Sequence, residues 1–356
     1  MKICPITSPS RRFRENGHLK NRYYLYGMKP IFPTTYSTLC PVALASLIAD
    51  KYGLENVTCT FMMRGVGDTY HVETKNGRFI LRAYRSSHRT KPQIRAELDL
   101  LLALKDAHVP VAYPIHDRSG TVIQSLDAAE GKRHVALFSY APGKVEHTLN
   151  ENQLRELGRQ MARFHKVSAS IKLEDPRWNF DLETTLYKPL QLLEPSFAGD
   201  PETYTWLQEA TKKVTTGLAR LDTSGFSTGY CHYDMLPKNF HFDGDSVTFF
   251  DFDFMGHGWL VNDLMTFRQQ LLLDVHFGKM TQDAADLAFA AFVSAYREVR
   301  PLSEQEEAAI PYLSLGFWLF YSGFHTTHDQ FCLFIQPGNL KQRFGFVRGM
   351  LGRYLG

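Results

Sequence analysis

The side chains best suited to chemistry lie in one short part of the chain. Asp234 is followed five residues later by Asn239, and a short apolar strand comes next. Residues 243–246, Asp-Gly-Asp-Ser, predict a hairpin turn, and the second strand of that hairpin leads to Asp251. A carboxylate, an amide and a second carboxylate are therefore expected to converge. Phosphoryl transfer needs such groups, because one carboxylate orients a hydroxyl while the other oxygens bind magnesium.

These motifs resemble those of the aminoglycoside phosphotransferase and choline kinase superfamily, relatives of the protein kinases. His232-x-Asp234 with Asn239 is similar to that family's catalytic loop, and residues 250–253 stand where protein kinases have Asp-Phe-Gly. The sequence of residues 250–264 resembles, in particular, that of bacterial phosphotransferases near the type II homoserine kinases. The resemblance implies a two-lobed, kinase-like α+β fold, with a small antiparallel-sheet N-lobe and a larger, mainly helical C-lobe.

The resemblance also assigns roles to this loop and its neighbours. Asp234 is the expected catalytic proton acceptor, and Asn239 and Asp251 are the expected metal ligands. His232 and Asp263 are expected to be structural residues near the site, with Asp263 bracing the catalytic loop from behind. The implied cofactors are ATP and Mg²⁺.

The segment before this loop is predicted to form the nucleotide-binding lobe. Strands are predicted at residues 57–63, 69–74 and 78–84, and Asn76-Gly77 is a strong hairpin signal. Glycines between the first two strands let backbone amides approach phosphates without side chains in the way. The predicted phosphate contacts in this turn are Gly65, Gly67 and Asp68.

A cation and a carboxylate follow in the order that kinases use. Arg82 lies on the third strand where protein kinases place a lysine, and a guanidinium binds phosphate by forked hydrogen bonds. Glu97 lies on the next predicted helix, residues 92–105, and is expected to tether Arg82. The backbone of Phe138, Ser139 and Tyr140, at the end of a later strand, is expected to meet adenine.

The acceptor is expected to bind between the Asp234 loop and the aromatic C-terminal helices. The residues expected to contact it are Asp253, His325 and Asp329. If Asp253 continues the strand of Asp251, alternation puts both on one face. The acceptor side is rich in aromatics and modest in acids, which favours a small, neutral or singly cationic hydroxyl compound, such as the amino alcohol homoserine.

Composition narrows the function class. The chain has 356 residues, 44% of them hydrophobic, and a formal charge of +3, which gives no argument for a nucleic-acid partner. No apolar run reaches the ~20 residues of a membrane helix. The five cysteines are scattered, which favours a reduced, cytoplasmic compartment. The oligomeric state stays open.

Three parts are expected along the chain. Residues 1–27 read as a basic arm, disordered or non-native and dispensable for fold and activity. Residues 28–141 form the predicted N-lobe, and residues 142–356 form the predicted C-lobe. The function expected from all of this is phosphoryl transfer from ATP to a small-molecule hydroxyl. The alternatives are a bacterial Ser/Thr protein kinase of the same superfamily and a nucleotide-binding scaffold without turnover.

Overall fold

A five-stranded antiparallel sheet forms the first half of the structure. The computed structural model describes residues 32–174 and 177–355, so the predicted arm at 1–27 lies outside the described residues. The strands follow the order β1-β2-β3-β5-β4. They are β1 (Thr58–Arg64), β2 (Asp68–Thr74), β3 (Gly77–Tyr84), β4 (Gln124–Ala128) and β5 (Gly131–Ser139).

Alternation along the central strand β3 sorts its side chains onto two faces. Leu81 and Ala83 pack with helix α1 (Pro41–Tyr52) in one apolar cluster. Tyr84 belongs to a second, larger cluster that includes helix α2 (Lys91–Asp106). Arg82 shares the face of Tyr84, and α2 begins with a complete capping box at Thr90. The strand and helix that carry the predicted cation and carboxylate are thus packed against each other.

The second half of the chain is mainly helical. Its helices are α3 (Glu151–Ser168), α4 (Lys188–Leu193), α5 (Pro201–Leu218), α6 (Val261–His276), α7 (Gln282–Arg297), α8 (Glu304–His325) and α9 (Pro337–Leu355). Short strands interrupt them at β6 (Trp178–Phe180), β7 (Thr228–Cys231), β8 (Phe240–Asp243), β9 (Ser246–Phe249) and β10 (Gly256–Trp259). The two-lobed α+β fold predicted from the sequence is confirmed.

The predicted hairpin is formed by β8 and β9, which pair from Phe240–Phe249 to Asp243–Ser246. One detail of the sequence reading is wrong. Strand β9 ends at Phe249, and a single 3₁₀ turn covers Phe252–Phe254. Strand alternation therefore does not relate Asp251 to Asp253. Both carboxylates approach Nη2 of Arg82, but Asp251 is half exposed and Asp253 is buried. Across residues 32–174 and 177–355, no helix is long and apolar enough to cross a membrane.

Candidate active site

The catalytic loop follows β7 and is braced from behind by Asp263 on α6. Asp263 accepts backbone hydrogen bonds from His232 (2.8 Å) and Tyr233 (2.6 Å). Its Oδ2 also lies 2.9 Å from Nε2 of His165, whose Nδ1 lies 2.8 Å from the hydroxyl of Tyr296. All of these side chains are buried. The loop is therefore anchored through Asp263, His165 and Tyr296 to three helices of the C-lobe, α6, α3 and α7.

Asp234 presents its two carboxylate oxygens differently. Oδ2 accepts hydrogen bonds from Nδ2 of Asn239 at 2.7 Å and from Nζ of Lys238 at 2.8 Å. Oδ1 is buried and has no hydrogen-bond partner within the described part of the chain. A buried carboxylate oxygen without a donor is costly, so a ligand hydroxyl is its natural partner.

His232 links this loop to the residue before Asp251. Its Nδ1 accepts the backbone N–H of Asp234 at 3.2 Å, which leaves the ring proton on Nε2. Nε2 then donates to the carbonyl of Phe250 at 3.0 Å. The histidine positions the loop and is already bonded at both nitrogens.

Two residues at this junction have strained backbones. Tyr233, directly before Asp234, has φ 61°, and Asp251 also has φ 61°. Left-handed backbone in a residue other than glycine costs about 1–3 kcal/mol and clusters at functional sites. The strain aims the two carboxylates that the sequence singles out.

Asp251 faces the cation of the sheet. Its Oδ1 lies 3.0 Å from Nη2 of Arg82, and its side chain remains 47% exposed. Nη1 of Arg82 donates to Oε1 of Glu97 at 3.1 Å. Burial opposes the charge on Arg82, but Asp251 and Glu97 raise the pKa of Arg82 above its ordinary value. The structure therefore brings together the predicted cation, its tether and the predicted metal-binding carboxylate.

Both carboxylate oxygens of Asp253 are bonded to side chains of the protein. Its Oδ1 accepts hydrogen bonds from Arg89 (3.0 Å) and Arg177 (3.2 Å), and its Oδ2 lies 3.2 Å from Nε2 of His88. Burial raises the pKa of Asp253, but Arg89 and His88 outweigh this effect and hold that pKa well below its ordinary range. Because both oxygens are bonded internally, the structure gives Asp253 a bracing position and not the expected contact with the acceptor.

Arg177 joins this group to the N-lobe. Its Nη1 lies 3.4 Å from Oε2 of Glu97, and its Nη2 contacts Asp253. The side chain of Arg177 is completely buried. Three guanidinium groups, from Arg82, Arg89 and Arg177, thus face three carboxylates, from Glu97, Asp251 and Asp253. We call these six residues the paired network. Its charges are satisfied within the protein.

The glycine turn between β1 and β2 is shaped by a close approach. A Cβ on Gly67 would lie 2.6 Å from the carbonyl oxygen of Ala83, so only glycine fits there, whereas Gly65 has open space beside it. Asp68 turns its carboxylate inward, accepting from Nε of Arg64 at 2.8 Å. Its carboxylate therefore stabilises the turn, and only its backbone remains for the phosphates.

The predicted adenine segment lies where β5 ends. Phe138 pairs with Ile80 and Ser139 with Phe79 across the β3–β5 ladder. Ser139 also exchanges hydrogen bonds with Tyr113, and the guanidinium of Arg78 lies 4.1 Å from the ring centroid of Tyr140. This segment is the connection between the sheet and the helical half.

On the acceptor side, α8 contacts the catalytic loop through Tyr321, whose hydroxyl donates to the carbonyl of Tyr233 at 3.2 Å. His325 lies one turn further along the helix. Asp329, which the sequence predicts to meet an ammonium group, accepts from Nη2 of Arg85 at 2.8 Å, and its side chain is 72% exposed. Of the three expected acceptor contacts, only His325 faces this side without an internal partner.

The turn at Asp329–Ile335 reaches across to the N-lobe. Besides the Arg85 contact, the side-chain amide of Gln330 donates to the backbone carbonyls of Gly65 and Val66. We call this segment the interlobe strap. It ties the end of α8 to the glycine turn.

A cavity of about 390 Å³ lies near the catalytic loop without including the catalytic carboxylate. Tyr233 lines it together with Phe180, Leu186, Trp259 and Tyr312, and Asp234 is not among its walls. This cavity therefore cannot deliver a hydroxyl to Asp234.

The residues present fit a magnesium ion held jointly with a nucleotide. In the described ranges, no group of three His, Cys, Asp or Glu side chains could hold a metal alone. Mg²⁺ is usually bound by one or two protein oxygens together with phosphates. A half-exposed Asp251 beside Asn239 is such a partial donor set.

Comparisons with known proteins agree with this geometry. Residues 64–302 match a family model described as the phosphotransferase enzyme family (APH). The chain belongs to this family. An uncharacterized protein of Synechocystis sp. is 34% identical over 80% of this chain and 77% of its own length.

Two further relatives have named activities. A homoserine kinase of Caulobacter sp. is 28% identical over 79% of this chain and 84% of its own length. An amicoumacin kinase solved with AMP-PNP and Ca²⁺ superimposes with a TM-score of 0.67 at 18% identity, covering 88% of this chain and 93% of that one. The chain is a phosphotransferase of this family, with the same fold as that kinase.

Several residues at the site were missed by sequence reasoning. Lys238 stands inside the catalytic loop, four residues after Asp234, so its position alone could have identified it. Arg89 and Arg177 carry no local motif. Only their tertiary contacts show that they belong here.

Proposed function

We propose that this protein transfers the γ-phosphate of ATP, with Mg²⁺, to a hydroxyl group of a small molecule. The observation that carries the proposal is the asymmetry of Asp234. One oxygen is held by Asn239 and Lys238, and the other is buried without a donor. A substrate hydroxyl that donates to Oδ1 would be oriented and partly deprotonated there.

The reaction then follows from this contact. The hydroxyl oxygen attacks the γ-phosphorus, the bond from that phosphorus to the bridging oxygen breaks, and the hydroxyl proton passes to Asp234. Lys238 keeps the second oxygen of Asp234 in place. Burial lowers the pKa of Lys238, but the nearby Asp234 raises it above its ordinary value. The ammonium group therefore stays charged.

The phosphates are held from the other side of the cleft. Arg82, tethered by Glu97, binds the α- and β-phosphates, and the backbone of the glycine turn covers them. Asn239 and Asp251 hold the magnesium, which neutralises charge on the phosphates. The solved amicoumacin kinase carries AMP-PNP and Ca²⁺, which supports a nucleotide and a divalent cation in this cleft.

A small acceptor is favoured over a protein acceptor by the chain after Asp251. β10 begins at Gly256 and α6 at Val261, so no long segment separates the metal site from the helical core. Protein kinases use such a segment to dock and regulate a peptide.

The experiment is turnover of ATP with a panel of hydroxy acids, amino alcohols, sugars and antibiotics. Asp234→Asn is expected to lower kcat by ~10²–10⁴-fold, since it removes the proton acceptor while keeping the shape. Melting temperature and nucleotide affinity should stay near those of the wild type. The matched control is Asp245→Asn, on the exposed β8–β9 turn. Near wild-type turnover by Asp234→Asn on the best acceptor would refute the assignment.

A further inference from the structure

Where α8 ends, in the part of the chain that the structure describes, Arg343 has no anionic partner and His325 has a ring nitrogen without a hydrogen bond. Arg343, on α9, donates from Nη1 to the hydroxyl of Ser322 on α8 at 2.8 Å. Among the residues that the structure describes, no carboxylate lies within 4 Å of this guanidinium, which is largely withdrawn from solvent. A guanidinium withdrawn from water without a counter-ion is costly, and the hydrogen bond to Ser322 offsets only part of that cost.

His325 lies on the same helix face, three residues after Ser322 and four after Tyr321. Its Nδ1 is buried and has no hydrogen-bond partner in residues 32–174 and 177–355. The charged and titratable groups that act on His325 are Arg343, Lys238 and His328, and none is a carboxylate. Phe334 stacks on the ring at 4.8 Å and closes one side.

Lys238 connects this group to the reaction centre, because its ammonium lies 2.8 Å from Oδ2 of Asp234. One turn of helix, about 5.4 Å, separates His325 from the point where Tyr321 contacts the catalytic loop. His325 is therefore offset from the catalytic loop by roughly the length of a short carbon chain.

We propose that Lys238, His325 and Arg343 bind a carboxylate group on the acceptor, whose hydroxyl is phosphorylated at Asp234. The acceptor is then a small hydroxy acid or hydroxy amino acid, a class that includes the homoserine expected from the sequence and excludes alcohols that carry no carboxylate. The guanidinium supplies two donors to the carboxylate, and the imidazole supplies a third. This inference rests on the proposed function and narrows its substrate class.

The carboxylate of Asp329 does not compete for His325 and Arg343. Asp329 follows His325 closely in the chain, but Arg85 holds it on the interlobe strap. The relative named as a homoserine kinase acts on a compound that carries a carboxylate, which is consistent with the proposal.

The test compares hydroxy acids with their own primary amides. L-Homoserine and 4-hydroxybutyrate are each paired with the corresponding amide, and 1-amino-2-propanol represents a purely cationic alcohol. ADP release gives kcat/KM for each. We expect the better acceptor pair to favour the carboxylate by about tenfold or more, as for a charge-assisted hydrogen bond.

Arg343→Gln should then raise the acceptor KM by about tenfold and bring the carboxylate-to-amide ratio close to one, with the KM for ATP unchanged. Arg343→Lys should restore part of the preference. The control is Arg348→Gln, on the same helix, whose side chain is 44% exposed and lies 3.9 Å from Glu202. It should behave as wild type.

The outcomes separate the two proposals. A preference for the amides or for 1-amino-2-propanol, or an unchanged ratio in Arg343→Gln, overturns the carboxylate site and leaves the kinase assignment in place. Because the amide comparison needs no mutation, it remains decisive if Arg343→Gln fails to fold. No ADP release with any hydroxyl compound overturns both.

Discussion

The paired network and the end of α8 treat positive charge in opposite ways. In the network, three guanidinium groups meet three carboxylates, and Arg177 and Asp253 are buried against each other. At the end of α8, Arg343 donates to a serine hydroxyl and His325 leaves a ring nitrogen without a partner. Asp253 and its buried partners brace the site, whereas Arg343, which no carboxylate within 4 Å neutralises among the described residues, is open to a ligand.

The largest expected effects come from neutralising Asp251 and Asp253, two carboxylates of the paired network that are two residues apart. Asp251→Asn should lower turnover by about 100-fold or more and raise the magnesium requirement, because a hard anionic ligand is lost. Its effect on stability should be below about 1 kcal/mol, since the side chain is 47% exposed.

Asp253→Asn should affect stability more strongly than magnesium-dependent ATP binding. Removing one partner of a buried, hydrogen-bonded charge group costs about 3–5 kcal/mol, so urea denaturation should show a large loss of stability. Magnesium titrations of ATP binding on both variants complete the measurement. Equal effects of the two substitutions on stability would mean that Asp253 is not a bracing residue.

A second pair of variants compares the arginines directly. Arg177→Gln should lower the free energy of unfolding by about 3 kcal/mol or more, because it leaves Glu97 and Asp253 buried with fewer donors. Arg343→Gln should change it by less than about 1 kcal/mol, or raise it, because no carboxylate loses a partner. Similar losses in both, measured by urea denaturation, would contradict the distinction between paired and open charge.

The smallest effect concerns pH. Burial, with Arg343 and Lys238 nearby, lowers the pKa of His325 to about 3. The unfolded chain binds a proton at this histidine below about pH 6.5, while the folded chain does not until about pH 3. Stability conferred by a neutral His325 is therefore present above pH 6.5 and is lost as the pH falls towards 3.

His325→Gln removes this dependence. Between pH 7 and pH 5 the variant should lose up to about 2 kcal/mol less stability than the wild type, measured by urea denaturation at each pH. The other titrating groups are common to both proteins, so the difference isolates His325. Parallel stability curves would show that His325 is not held neutral by its surroundings.

Local signals were enough to predict the elements that carry the site. Hairpin chemistry at Asn76-Gly77 and at residues 243–246 predicted turns that join β2 to β3 and β8 to β9. Helical spacing predicted α2 at 92–105, against the observed Lys91–Asp106. These features depend on neighbours in sequence, which is why they could be read without the fold.

Other contacts could not be predicted because they depend on long-range packing. Arg177 meets Glu97 across 80 residues, and Arg343 meets Ser322 between two helices, with no spacing that marks either one. The reading of Asp253 failed for a local reason. The left-handed backbone at Asp251 ends the strand, so a period of two no longer applies.

The interlobe strap has a consequence for how the two substrates are taken up. Gln330 donates to two carbonyls of the glycine turn, and the strap begins four residues after His325. If the turn shifts on binding ATP in the proposed reaction, the strap carries that shift to the acceptor side. Since such coupling is reciprocal, any factor by which ATP tightens acceptor binding must equal the factor by which the acceptor tightens ATP binding. The strap makes the two affinities a single thermodynamic property of the closed cleft.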